Sequence, residues 1–104
     1  MTRAELMTEI RARLTKAHGR RLKGIVLYGS EARGDAGPDS DIDLLVLLEG
    51  PIDLARDLDA NLDAVYPLAL EVGRRISAIP TDIEEYERVW CPLYENARRE
   101  GVLV

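Results

Sequence analysis

Asp41 and Asp43 stand one residue apart at the head of the apolar run 44–48. Alternate side chains of an extended strand share a face, so these carboxylates project together, about 7 Å apart along the chain. Two carboxylates crowded on a buried strand repel, and they are costly unless a cation or positive partners neutralise them. Oxygen ligands of this kind suit magnesium, which takes one or two carboxylates plus waters and substrate phosphates. Upstream, Gly29-Ser30 closes a second apolar run, residues 24–28. A strand that ends in Gly-Ser and turns toward a helix leaves backbone N–H groups free to meet an anion. Gly29 carries no side chain to block a phosphate, Ser30 adds a hydroxyl, and Arg33 could add charge against a triphosphate.

Rival motifs fail on particular residues. Gly29 to Gly34 has the glycine spacing of a Walker phosphate loop, but Asp35-Ala36 stands where Lys-Ser or Lys-Thr is required. A dinucleotide fingerprint fails at Glu31, which occupies its second glycine position. Asp39, Asp41 and Asp43 imitate the start of a calcium loop, yet Leu44 replaces its glycine and an apolar strand follows.

Regular elements must hold these residues in place. Thr2 and Glu5 form a capping box ahead of the stripe Leu6, Ile10 and Leu14, which predicts a helix ending near His18-Gly19. His18, in its last turn, reads as structural. Residues 24–28 and 41–48 read as strands, the second buried on both faces and so central in its sheet. Between them lies a loop with room for one helical turn at residues 30–33. Pro51 is expected to start a second helix, with Leu54, Leu58, Leu62 and Val65 inward and Asp53, Arg56, Asp57, Asp59 and Asp63 largely toward water. Pro67 should kink it, and it ends near Gly73. Residues 74–79 alternate as a third strand closed by Pro80. A second capping box at Thr81 to Glu84 opens a C-terminal helix that Pro92 divides. The order is α-β-β-α-β-α, an α+β fold with a small mixed sheet of three or more strands covered by helices.

Composition limits the function classes. The 104 residues suit a single domain, 1–104, with one aliphatic core and no Phe. A net charge of −5 disfavours a nucleic-acid role, and the clusters Arg20, Arg21 and Lys23, Arg74-Arg75 and Arg98-Arg99 read as solvated faces. The lone Cys91 cannot form an internal disulfide and reads as a small apolar side chain beside Trp90, which suits a reducing cytoplasm. The N-terminal residues are charged and amphipathic, unlike a signal peptide, and the longest apolar run is far too short to cross a membrane. Trp90, Leu93 and Tyr94 are expected to be at least half core.

The spacing of Gly29-Ser30 and Asp41-Ile42-Asp43 resembles the signature of the DNA polymerase β-like nucleotidyltransferase superfamily. The fuller phrases Gly29-Ser30-Glu31-Ala32-Arg33-Gly34 and Ser40-Asp41-Ile42-Asp43-Leu44, with residues 92–101, look most like its minimal nucleotidyltransferases, often the antitoxins of HEPN/MNT toxin–antitoxin pairs. The resemblance implies the nucleotidyltransferase fold, with Asp41 and Asp43 as ligands of Mg2+, two ions in the family, and Gly29 and Ser30 holding the β- and γ-phosphates of ATP. It implies transfer of AMP to a hydroxyl of a partner protein, such as a HEPN-type toxin. Self-association stays open. One departure stands out. The strand after the second helix, where many relatives carry a third catalytic carboxylate, reads Arg74-Arg75-Ile76-Ser77-Ala78-Ile79. Ser77 stands near the expected position, and Glu71 is the nearest acid. Two alternatives therefore accompany the transferase: an inactive antitoxin that works by binding alone, and a small-molecule transferase of the aminoglycoside type.

Overall fold

A computed structural model of the chain describes residues 1–104. Helix α1 (Arg3–His18) begins with the expected capping box: Thr2 accepts from Glu5 N–H, and Glu5 accepts from Thr2 N–H. Its stripe Leu6, Ile10 and Leu14 is buried. A short 3-10 turn (Gly19–Arg21) leads into β1 (Leu22–Tyr28), which runs antiparallel to β2 (Ile42–Leu48). The short helix α2 (Gly29–Arg33) and a loop join those two strands. Helix α3 (Leu54–Val72) crosses over to β3 (Ile76–Asp82), which lies parallel to β2. Helices α4 (Ile83–Arg88) and α5 (Pro92–Glu100) follow. The two-residue strand β4 (Val102–Leu103) then pairs antiparallel with β1. The sheet order is β3-β2-β1-β4, so β2 lies inside the sheet, as its unbroken apolar run required.

The two sheet faces bury different amounts. Ile25 and Leu27 of β1, Ile42, Leu44, Val46 and Leu48 of β2, and Ile76 and Ala78 of β3 pack with α1 and α3 into the main core. On the opposite face Val26, Leu45 and Leu47 meet only Ala97 of α5, with half-buried Tyr28, Ile79, Ile83, Tyr86 and Tyr94 around them. Asp43 belongs to this second, thinner face, because it alternates with Ile42 and Leu44 along β2.

Several boundaries and one helix face differ from expectation. Helix α3 starts at Leu54 rather than at Pro51, because the Asp53 carboxylate caps it by accepting from Arg56 N–H at 3.1 Å. Pro67 lies within α3 on its exposed side and does not end it. Strand β3 continues through Pro80 to Asp82. In a parallel ladder alternate residues bond the neighbouring strand, and Ile42 N–H donates to Arg75 C=O at 2.9 Å. The Pro80 nitrogen therefore faces the free edge of the sheet, where a missing N–H costs nothing, while the residue itself is buried. Thr81 is consequently a buried strand residue, and Asp82 alone caps α4, accepting from Glu84 and Glu85 N–H. Pro92 does start a separate helix. Of the three residues expected to be at least half core, Trp90 and Leu93 are exposed, and Tyr94 alone packs against the thinner core.

The largest correction concerns α3. Its buried face is Asp57, Asn61, Val65 and Leu68, whereas Leu54, Leu58 and Leu62 face solvent. Asp57 is only 2% exposed, because Arg21 donates to both of its oxygens at 2.9 and 3.1 Å and Asp53 N–H donates to one at 3.1 Å. Asn61 donates to Ala78 C=O at 3.0 Å and meets His18 Nε2 at 2.5 Å. Polar groups satisfied this fully can be buried in place of leucines.

Candidate active site

Strand β1 ends at Tyr28, whose register partner on β2 is Asp43. At Gly29 the backbone turns into α2 with φ +76, a left-handed conformation that favours glycine. A Cβ at this position would lie 2.6 Å from Asp43 Oδ2, so the glycine backbone rests directly against the carboxylate. The positive φ favours glycine at residue 29, and the close approach brings the first motif onto the second. Ser30 follows in the first turn of α2, a helix whose N-terminus no side chain caps. An anion meeting that turn would find unblocked backbone donors and the Ser30 hydroxyl.

Asp43 is half-buried within β2, and Asp41 is exposed just ahead of the strand. Burial pushes the Asp43 carboxyl above its usual range, the charge of Asp41 pushes it further, and Arg75 pulls against both. Desolvation is the leading cause, with the neighbouring like charge second. Burial and Asp43 likewise raise the Tyr28 phenol. Asp41 and Asp43 thus interact, as their spacing predicted, and their mutual repulsion is what a divalent cation would relieve.

The neighbouring strand shows what lies opposite Asp43. Asp43 pairs with Ser77 across the parallel β2–β3 ladder. No carboxylate stands there. Glu71 is exposed in the last turn of α3, and no group of three His, Cys, Asp or Glu side chains is gathered anywhere in the chain. Glu71 therefore does not join the aspartate pair. Arg33 pairs with Asp35 at 3.2 Å and with Glu100 of α5 at 3.1 Å, so it ties α2 to α5 in this structure.

Two residues with a bearing on the site escaped the sequence reading. Arg74 donates from Nε to Ser40 C=O at 2.9 Å and pairs through Nη1 with Glu31 at 2.5 Å. It thereby straps α2 to the loop that delivers Asp41. Arg75 is exposed, its charge reaches Asp43, and its side chain makes neither an ion pair nor a hydrogen bond to the protein. It lies two residues before Ser77, on the same face of β3. The available signal was an Arg-Arg pair entering a strand of an acidic chain, but only the β2–β3 register shows what that pair faces.

Comparison with known proteins fits this geometry. The model of the nucleotidyltransferase domain family matches residues 7–101, a span that contains both motifs. A protein of Methanocaldococcus jannaschii, provisionally named a protein adenylyltransferase, is 35% identical over 82 residues, 78% of this chain and 76% of its own. Among solved structures, spectinomycin adenyltransferase of Enterococcus faecialis, crystallised with ATP and spectinomycin, superposes with a TM-score of 0.75 at 17% identity. That match covers 99% of this chain and 56% of the enzyme. A toxin–antitoxin crystal structure with AMP-PNP superposes at 0.66 with 18% identity, over 98% of this chain and 72% of the other. At those identities the two structures speak for the fold. No helix here is long and apolar enough to cross a membrane.

Proposed function

The chain belongs to the nucleotidyltransferase domain family, and from that premise we propose that it transfers AMP from ATP to a hydroxyl of a partner protein, a HEPN-type toxin for which it serves as antitoxin. The observation that carries this reading is the contact between Gly29 and Asp43, which joins a phosphate-binding turn to a carboxylate pair. Gly29 and Ser30 would hold the β- and γ-phosphates. Asp41 and Asp43 would hold Mg2+, and the raised Asp43 carboxyl supports the fit, since a cation relieves both its burial and its repulsion from Asp41. When bound, the metal supplies charge neutralisation at the triphosphate. Arg75 adds a free positive charge beside the same pair. Arg33 would reach phosphate only by leaving Asp35 and Glu100.

In the transfer the acceptor oxygen bonds to the α-phosphorus, and the bond from that phosphorus to the bridging oxygen breaks. Pyrophosphate leaves with that oxygen's electrons, and the acceptor proton passes to solvent. Ser77 cannot take the proton as a carboxylate would, and Glu71 stands apart from the pair. An acceptor that ionises readily, such as a tyrosine phenol, suits a site with that deficit. The partner-directed reading draws on the name of the M. jannaschii relative and on the toxin–antitoxin structure. Because this chain spans just over half of the spectinomycin enzyme, the drug chemistry of that protein is not carried over.

The same Ser77 favours a second reading, an antitoxin that neutralises by binding alone. Labelled ATP, magnesium and the protein encoded by the adjacent gene separate the two. Label is expected on the neighbour with wild type and none with an Asp41→Asn/Asp43→Asn double variant. An unlabelled neighbour that both proteins neutralise equally would establish the binding-only reading.

A further inference from the structure

Beside the site, α3 and the outer edge of β3 enclose an open groove of about 570 Å³. Leu58, Leu62, Tyr66 and Leu70 line one wall, and these large apolar side chains are 44%, 52%, 54% and 65% exposed. They recur every four residues over about 18 Å of helix. Ser77 and Ile79 of β3 form the other wall, and Arg74 and Arg75 close one end. That end lies next to the aspartate pair along the sheet, because Ser77, which lines it, is the register partner of Asp43. A continuous apolar line of this size on a surface otherwise rich in charge marks a contact site.

We propose that this groove seats an amphipathic helix of the acceptor protein, holding the acceptor hydroxyl at the Arg75 end where β3 meets Asp43. The inference rests on the partner-directed transfer proposed above. A helix fits better than an added strand, because the edge of β3 is already blunted: Asn61 occupies Ala78 C=O and Pro80 offers no N–H. Charge selects a partner over a second copy. Asp59 and Asp63 stand exposed on α3, each next in sequence to a groove leucine, and neither makes an ion pair. A second α3 would set the same acids against them, in a chain of net charge −5. The docking helix therefore carries an apolar stripe flanked by basic residues, with an acidic residue where it meets unpaired Arg75.

The test uses the full chain and, as probe, the protein encoded by the adjacent gene. Leu58→Ser/Leu62→Ser is compared with wild type and with Leu103→Ser, a change at an exposed residue of the opposite sheet edge. Circular dichroism and Mg·ATP affinity report that fold and nucleotide site are intact. The groove variant is expected to lose at least tenfold in affinity for the probe and to lose label transfer at subsaturating probe. Leu103→Ser should bind like wild type, and Asp59→Lys/Asp63→Lys should weaken binding in a salt-dependent manner. Wild-type affinity in the groove variant, or no complex with the probe at all, would overturn the inference. So would a wild-type dimer that the groove variant converts to monomers while probe binding is unchanged. Binding that depends on the groove without label transfer would remove the transfer reading and leave the docking site standing. Transfer that ignores the groove would do the reverse.

Discussion

Asp43 and Asp57 are both carboxylates withdrawn from water, and their titrations move in opposite directions. Asp57 lies deeper, yet hydrogen bonds from Arg21 hold it below the usual range, with Asp53 N–H assisting. Asp43 is shallower, receives no side-chain donor of that kind, and is raised by burial and by Asp41. Depth therefore does not set the direction; partners do. The fold supplies partners to the carboxylate that joins its elements and withholds them from the one proposed to face the nucleotide. Such an unsatisfied charge costs stability in the free protein and is available for a ligand to satisfy.

The comparison breaks most visibly at Arg21. Arg21→Ala removes the bidentate partner of buried Asp57 and leaves only the exposed Arg56, 3.7 Å away, and the expected loss is about 3 kcal/mol, measured by chemical denaturation near neutral pH. The pH dependence carries the sharper information. In the wild type the folded Asp57 value is depressed, so its contribution is present above the ordinary aspartate value of about 3.9 and fades as pH falls through the lower folded value. In the variant desolvation is left without its main opponent, so the Asp57 value should rise and stability should fall as pH increases from about 4 toward neutrality. A variant that loses stability equally at all pH values would mean that Arg21 acts by packing alone.

How far these roles can be read in the sequence follows from the range of the interactions. Gly29-Ser30 and Asp41/Asp43 were legible because glycine and paired carboxylates need their spacing in any fold that uses them. The central place of β2 followed from its apolar run alone. The face of α3 was not legible, since Leu54, Leu58 and Leu62 recur as core residues would. What outweighs them is Arg21, 36 residues from Asp57, and His18, 43 residues from Asn61. No local pattern reports partners that far apart. Strand β4 is two residues long, too short for any alternation to show, and Arg75 gained meaning only from the register of β3 beside β2.

Ser77→Asp sharpens the comparison from the other side. It places a third acid at the register partner of Asp43, deepening the deficit that Asp57 is spared. Without metal the variant should be less stable than wild type by about 1 kcal/mol, through added like-charge repulsion. With magnesium it should bind the ion more tightly, and transfer to an aliphatic hydroxyl acceptor should rise about tenfold as a carboxylate becomes able to take the proton. Unchanged magnesium affinity would place residue 77 outside the metal's reach.

The smallest effect is the most direct reading of Asp43 itself. A carboxyl whose folded value is raised binds its proton more tightly in the folded chain. Stability of the metal-free protein should therefore decline as pH rises from about 4 through that raised value. Water screens a half-buried group, so the decline is under about 1 kcal/mol, small but resolvable against Asp43→Asn, in which it should vanish. Saturating magnesium acts in the opposite sense, because it binds the ionised pair and adds stability that grows as the carboxylates lose their protons. The wild-type profile should thus change slope when the ion is added, while that of Asp43→Asn stays nearly flat. Asp57, already partnered, contributes the same acid limb in both, so the difference between profiles isolates the carboxylate left free for a ligand.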